Sequence, residues 1–354
     1  MSSPPPRSFE LQLRRPDDWH LHLRDGAALG AVLPFTAARF ARAIVMPNLD
    51  PPITTTALAL AYRRRILAAL PAGARFQPLM TLYLTDHTSG AEIERAHASG
   101  AIHGCKFYPA GATTHSDAGC TDIGRLESAL EAMMRLDMPL LVHGEVTDPN
   151  VDVFAREARF IEQTLAPLVE RYRALRVVLE HVSTEVGVQF VLSARPGVAA
   201  TITPQHLLLN RNALFAGGLR PHHYCLPLLK TERDRRSLVD VVASGNPRFF
   251  LGTDSAPHAR HRKESSCGCA GIFSAHAALE LYAELFDAEG ILPRLEAFAS
   301  EFGPDFYRLP RNSDQVRLVR ESWIAPRSYP LGDDELVPLR AGEPIGWRML
   351  ADRA

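Results

Sequence analysis

Short apolar runs and longer helical stretches alternate along this chain almost without a break. The runs Ala41 to Pro47, Arg75 to Leu84, Ile102 to Tyr108, Pro139 to Glu145 and Arg176 to Ser183 are rich in aliphatic residues and read as buried strands. Val198 to Leu209 contains a further strand and Arg248 to Asp254 another, while Asp17 to Gly26, with alternating His and Leu, is the first. Helical periodicity covers Thr54 to Leu70, Ala91 to Ser99, Ile123 to Leu136, Val153 to about Tyr172, and Glu232 to Ala243. Eight strand–helix units predict an α/β fold closed into a TIM-like (β/α)8 barrel. Helices near Phe273 to Phe286 and Leu292 to Phe302, then a strand-like Gln315 to Ile324, predict a C-terminal extension packed on that barrel. Residues 14–354 are expected to form one domain, with 1–13 as a flexible N-terminal tail.

The polar exceptions within this pattern carry the chemistry. Strand side chains alternate between faces, so His20 and His22 point one way and Leu21 and Leu23 the other, with Arg24 on the histidine face. Asn48, Lys106, His143, His181 and Asp254 each stand near the end of an apolar run, where a parallel barrel builds its active site. Two irregular segments, Ala110 to Thr121 and Leu209 to Leu229, follow the fourth and seventh strands and are expected to overhang the barrel mouth as lids or substrate contacts.

Composition narrows the class without changing it. At 354 residues and 46% hydrophobic, the chain can bury a large core, and a net charge of -1 gives no electrostatic case for nucleic acid or an anionic membrane. The five cysteines, Cys105, Cys120, Cys225, Cys267 and Cys269, are odd in number and lack framework spacing, which suits free thiols in a reducing compartment. No stretch approaches the roughly 20 apolar residues of a membrane span. Met1 to Ser8 has three prolines and no apolar core, unlike a signal peptide. A cytoplasmic enzyme is the expectation.

Imidazoles and a carboxylate together suit Zn²⁺ or a neighbouring divalent metal, with Co²⁺ and Mn²⁺ served equally well. His20, His22, His143, His181 and Asp254 are too many ligands for one catalytic zinc and too few for two metals unless something bridges them. Lys106 has two readings. Burial favours its neutral amine, which can add carbon dioxide to become an anionic, bidentate carbamate bridge. Alternatively it pairs with a carboxylate.

The stretches DDWHLHLRDG, MPNLDPP, GCKFYPAGATTHSDAG, LLVHGE, LEHVST, TPQHLLLNRN, HHYCLPLLK, FFLGTDSAPH and KESSCGCAGIF, in order from about Pro16 to Phe273, resemble the amidohydrolase superfamily. The similarity is closer still to the dihydroorotases of the single-function bacterial type. That resemblance implies two divalent metal ions, of which zinc is the expected one. His20, His22 and Asp254 would bind the more buried metal and His143 and His181 the more exposed one. Lys106, as N6-carboxylysine, would bridge them together with a hydroxide. It further implies that Arg24, Asn48 and His258 grip the substrate carboxylate, and that Thr113 and Thr114 lie on a loop closing over it. The backbone near Leu226 and the segment at Ala270 complete the pocket. Asp254 would be the general acid and base in the reversible cyclisation of N-carbamoyl-L-aspartate to L-dihydroorotate, in pyrimidine biosynthesis. Members of this type are homodimers.

Three other functions compete. A cyclic-imide or hydantoin hydrolase shares the metal ligands but has no use for a carboxylate grip by Arg24, Asn48 and His258. A non-catalytic barrel scaffold would lack ligands, and all six are present. A mononuclear deaminase, suggested by the Gly144-Glu145 that follows His143, conflicts with the fourth-strand lysine, which leaves Glu145 a structural part. His206 reads as structural, His222 and His223 as support or surface, and His87, His97, His103, His115, His261 and His276 as ordinary histidines. The pair Cys267 and Cys269 has no second pair with which to hold a metal.

Overall fold

The computed structural model describes residues 9–266 and 268–350. Eight parallel strands stand in sequence order around a nearly closed barrel: β2 (Asp17–Leu21), β3 (Arg42–Val45), β4 (Gln77–Tyr83), β5 (Ile102–Phe107), β6 (Leu140–Val142), β7 (Val177–Leu179), β8 (Val198–Ile202) and β9 (Phe249–Leu251), preceded by β1 (Glu10–Arg14) outside it. Two backbone hydrogen bonds join the last strand to the first: Asp254 N–H donates to the His20 carbonyl (2.9 Å), and His22 N–H to that of Ser255 (3.1 Å). The expected (β/α)8 architecture is the observed one.

Alternation on these strands sorts side chains between two cores. Leu21, Val45, Leu82, Phe107, Val142, Leu179, Ile202 and Leu251 point outward into the layer beneath the helices. Trp19, Ile44, Leu79, Leu141, Val178, Ala199 and Phe250 fill the barrel interior. β2 departs from strict alternation, because Asp18 pairs with Ala43 but Leu21 with Val45. Two residues, Trp19 and His20, therefore stand opposite Ile44, and such a bulge re-aims side chains. It lets Trp19 plug the floor while His20 and His22 both reach the mouth. The helix Phe302–Tyr307 closes the floor, stacking Tyr307 on Trp19 with ring centroids 4.4 Å apart. Gly303 is required there, since a Cβ would lie 1.9 Å from the indole Nε1.

Several elements differ from the sequence pattern. A helix at Gly26–Arg39, capped by the Asp25 carboxylate, fills a stretch whose Gly30 and Pro34 mask its periodicity. The helix after β6 runs as Arg156–Phe160 and Ala166–Arg171 around a π turn at Ile161–Leu165. Residues 10–13, expected in a flexible tail, belong instead to β1, which pairs antiparallel with β10 (Gln315–Val319) and anchors the extension. Residues 1–8 of that tail lie outside the described residues, as does Cys267. The expected strand to Ile324 is two strands, β10 and Trp323–Ile324. Cys105, Cys120, Cys225 and Cys269 are buried free thiols. Among the described residues, no helix is long and apolar enough to cross a membrane.

Candidate metal centre and substrate pocket

One step above the apolar floor the same strand faces turn polar: Leu141 is followed by His143, and Val178 by Glu180. His181 and Asp254, just past β7 and β9, take left-handed backbone conformations with φ of 44° each. Non-glycine residues are held there only when their surroundings compel it, and such strain gathers at functional sites. The His181 N–H donates to the Thr201 hydroxyl at 2.8 Å, which helps fix that turn.

Three ligand atoms converge at the rim. His20 Nε2 lies 3.3 Å from His22 Nε2, and Asp254 Oδ1 is 3.2 Å and 3.1 Å from the two. Donors at ~2.0–2.1 Å from a tetrahedral zinc ion stand about 3.3 Å apart, so this set fits a divalent cation. The His181 ring centroid is 5.0 Å from that of His20 and 4.9 Å from that of His143, which places the second expected pair beside the first. All five residues are buried. Burial lowers the pKa of His22 to about 4 and depresses His143 and His181, so these rings are neutral and free to ligate. For His20 burial acts the same way, but the Glu180 and Asp254 carboxylates outweigh it and hold the pKa at about 9.

Lys106 is fully buried, with its amine against the Glu180 carboxylate and 4.7 Å from the Tyr108 ring centroid. The carboxylate partner that the sequence left open as one alternative is thus Glu180. Burial nevertheless wins over that partner and lowers the lysine pKa. Glu180 also approaches His20 Nδ1 at 3.1 Å and forms a second potential ligand group with His20 and His181. Sequence reasoning passed it over, although a carboxylate two residues after Val178 on an inward face was the available signal. Glu145, expected to be structural, has its Oε2 3.1 Å from His143 Nε2, a contact that helps fix the ring.

Around this centre a small cavity of about 20 Å³ is lined by the histidines and Asp254 together with Arg24, Asn48, Tyr108, Thr113, Thr114, Leu226, Ala256, Ala270 and Gly271. Every expected substrate contact except His258 lines it, and His258 Nε2 is 2.8 Å from Arg24 Nη2. Among the described residues the buried Tyr108 hydroxyl has no hydrogen-bond partner. Asn48 donates to the Thr114 carbonyl at 3.1 Å, tying the Thr113–Thr114 loop across the mouth. A space of 20 Å³ barely admits a water molecule, so the mouth is closed as it stands. A cavity of about 470 Å³ on the barrel flank, between Phe107, Ile123 and Tyr172, contains none of the expected ligands. His206 is structural, bridging the Thr203 hydroxyl (2.8 Å) and the Pro227 carbonyl (3.0 Å).

A model of the amidohydrolase family matches residues 18–317. The chain belongs to that family. The dihydroorotase of Methylobacillus flagellatus is 64% identical over 339 residues, covering 96% of this chain and 98% of that protein. Among solved structures, the Saccharomyces cerevisiae dihydroorotase in complex with 5-fluoroorotic acid superposes with a TM-score of 0.90 at 31% identity, covering 98% and 99% of the two chains. The dihydroorotase from Campylobacter jejuni gives 0.89 at 34% identity, covering 97% and 98%. Within the amidohydrolases the chain stands among the dihydroorotases, metal-dependent cyclic amidohydrolases acting in pyrimidine biosynthesis.

Proposed function

We propose that this dihydroorotase holds two Zn²⁺ ions, with His20, His22 and Asp254 around the more buried one and His143 and His181 around the more exposed one. Lys106, carboxylated on Nζ, would supply the further carboxylate that these five side chains lack. The observation that carries this reading is the convergence of His20 Nε2, His22 Nε2 and Asp254 Oδ1 within 3.3 Å of one another in a buried site. When bound, the cations supply a nucleophile from water at neutral pH and polarise the carbonyl under attack.

The lysine is suited to its modification. Its depressed pKa populates the neutral amine, which forms an N–C bond to carbon dioxide and releases a proton. Glu180, already 3.1 Å from His20 Nδ1, then has the imidazole as its partner.

Asp254 moves the proton. With Oδ1 directed at the two histidines, its second oxygen takes the proton of the carbamoyl nitrogen as that nitrogen attacks the side-chain carboxylate of N-carbamoyl-L-aspartate. The proton then leaves on the departing oxygen. Ring closure consumes one further proton and releases water. In hydrolysis the same oxygen takes the proton of the attacking water and gives it to the ring nitrogen. Arg24 offers a planar fork to the second carboxylate, beside His258 and Asn48. The Thr113–Thr114 loop excludes water from the closed site. The family resemblance also supports a cytoplasmic homodimer, which light scattering on the purified protein tests for assembly.

The deciding assay supplies N-carbamoyl-L-aspartate, L-dihydroorotate and hydantoin to the purified protein. Interconversion of the first two with no hydantoin turnover is expected. Hydantoin cleavage without dihydroorotate cleavage would contradict the reading.

A further inference from the structure

Lys263 ends the short helix Arg260–Lys263 and is buried to 3% exposure. Its ammonium donates to three backbone carbonyls: Tyr224 at 2.7 Å, Cys269 at 2.8 Å and Gly271 at 2.7 Å. An ammonium has three donors, so the set is saturated, and among the described residues no carboxylate takes part in it. The three carbonyls belong to two separate pieces of the pocket wall. Tyr224 precedes Leu226 in the loop after β8, and Cys269 and Gly271 flank Ala270. A further backbone bond, Gly271 N–H to the Tyr224 carbonyl at 3.0 Å, joins the same two pieces.

The flanking carbonyls determine what lies between them. With the Cys269 and Gly271 oxygens both turned to Lys263, the Ala270 carbonyl is directed to the other side, where it lies 3.0 Å from His258 Nε2. That same nitrogen is 2.8 Å from Arg24. Gly271 permits the turn, with φ of 149° and a close approach in which a Cβ would stand 2.9 Å from the His258 ring. Lys263 thus fixes the carbonyls on either side of Ala270, and Ala270 packs on His258, whose Nε2 either donates to that carbonyl or accepts from the Arg24 guanidinium that lines the cavity.

We propose that Lys263 is a positioning residue for substrate binding: it clamps the Tyr224–Leu226 loop to the Cys269–Gly271 segment and so sets Ala270 and His258 against Arg24. The proposal rests on the reading of Arg24 and His258 as the carboxylate grip. It adds that the grip is held in place from behind by a buried cation that never touches substrate.

The test measures KM and kcat for N-carbamoyl-L-aspartate, together with metal content and melting temperature, in wild type, K263M and R24M. K263M is expected to raise KM about tenfold, the scale of a lost charge-assisted hydrogen bond, with kcat reduced less than about threefold and metal content unchanged. K263R, which keeps the charge, should recover part of the KM. An unchanged KM in K263M, or a fall in kcat that follows metal loss, would overturn the clamp. If K263M does not fold, K263Q is read in the same way, and failure of both to fold would make Lys263 a folding residue and contradict the proposal. R24M separates the two claims. A raised KM in R24M beside a normal K263M removes only the clamp, while a normal KM in R24M removes the grip itself.

Discussion

The two ends of one barrel solve opposite problems with the same strands. At the floor, Trp19, Phe250 and Tyr307 pack edge to face and in a stack, with centroids 4.4–6.3 Å apart, over Leu79, Leu141, Val178 and Ala199. One residue pair higher, that filling gives way to four histidines, a lysine and carboxylates, most of them equally dry. The floor gains by removing apolar surface from water. The mouth costs stability, because it buries charge and holds His181 and Asp254 at positive φ. A site of this kind is held up by the plug beneath it, and changes at the two ends should therefore separate cleanly into effects on chemistry and effects on folding.

The largest expected effect lies at the mouth. D254N should lower kcat by about three orders of magnitude, since the amide cannot carry the proton, while the melting temperature stays level or rises. A D254N protein that keeps wild-type kcat would remove the aspartate from proton transfer. Next in size is the floor. W19A should cost about 3–5 kcal/mol of stability, measured by urea unfolding, yet leave KM unaltered in the folded fraction. A shift in KM with no loss of stability would break the contrast between the ends.

The smallest effect is one of pH. Burial pulls the Lys263 pKa down to about 8, and the titratable groups that face it include the Cys225 and Cys269 thiols, the Arg24 guanidinium, the His258 and His222 imidazoles and the Tyr224 ring. Raising the pH through that value removes a positive charge and one donor facing three carbonyls, so KM should climb severalfold above pH 8. The climb should be absent in K263Q. An identical profile in both would assign the titration elsewhere.

Much of this contrast was legible in the sequence, because both signals are local. A strand is recognised by its own residues, and a polar tip such as His143 or Asp254 is conspicuous against a Val- and Leu-rich run. Family motifs then named the grip. What escaped was non-local or disguised. β1 pairs Leu11 with Leu318 across nearly the whole chain, and nothing within residues 10–13 announces the partner. The bulge at Trp19 is a property of pairing with β3 and not of either strand alone. Glu180 is hidden beside His181 in LEHVST, where the imidazole draws the attention. The KESSCGCAGIF motif contains two of the carbonyls that hold its lysine, but the third comes from Tyr224, 39 residues away.

As proposed, the mouth of this barrel holds two cations through a carboxylated Lys106. Metal analysis of the purified protein and of K106A measures it most directly. Two divalent ions per chain in the wild type, falling to one in K106A with loss of nearly all activity, is the predicted result. One ion per chain in the wild type, or two retained in K106A, would contradict it.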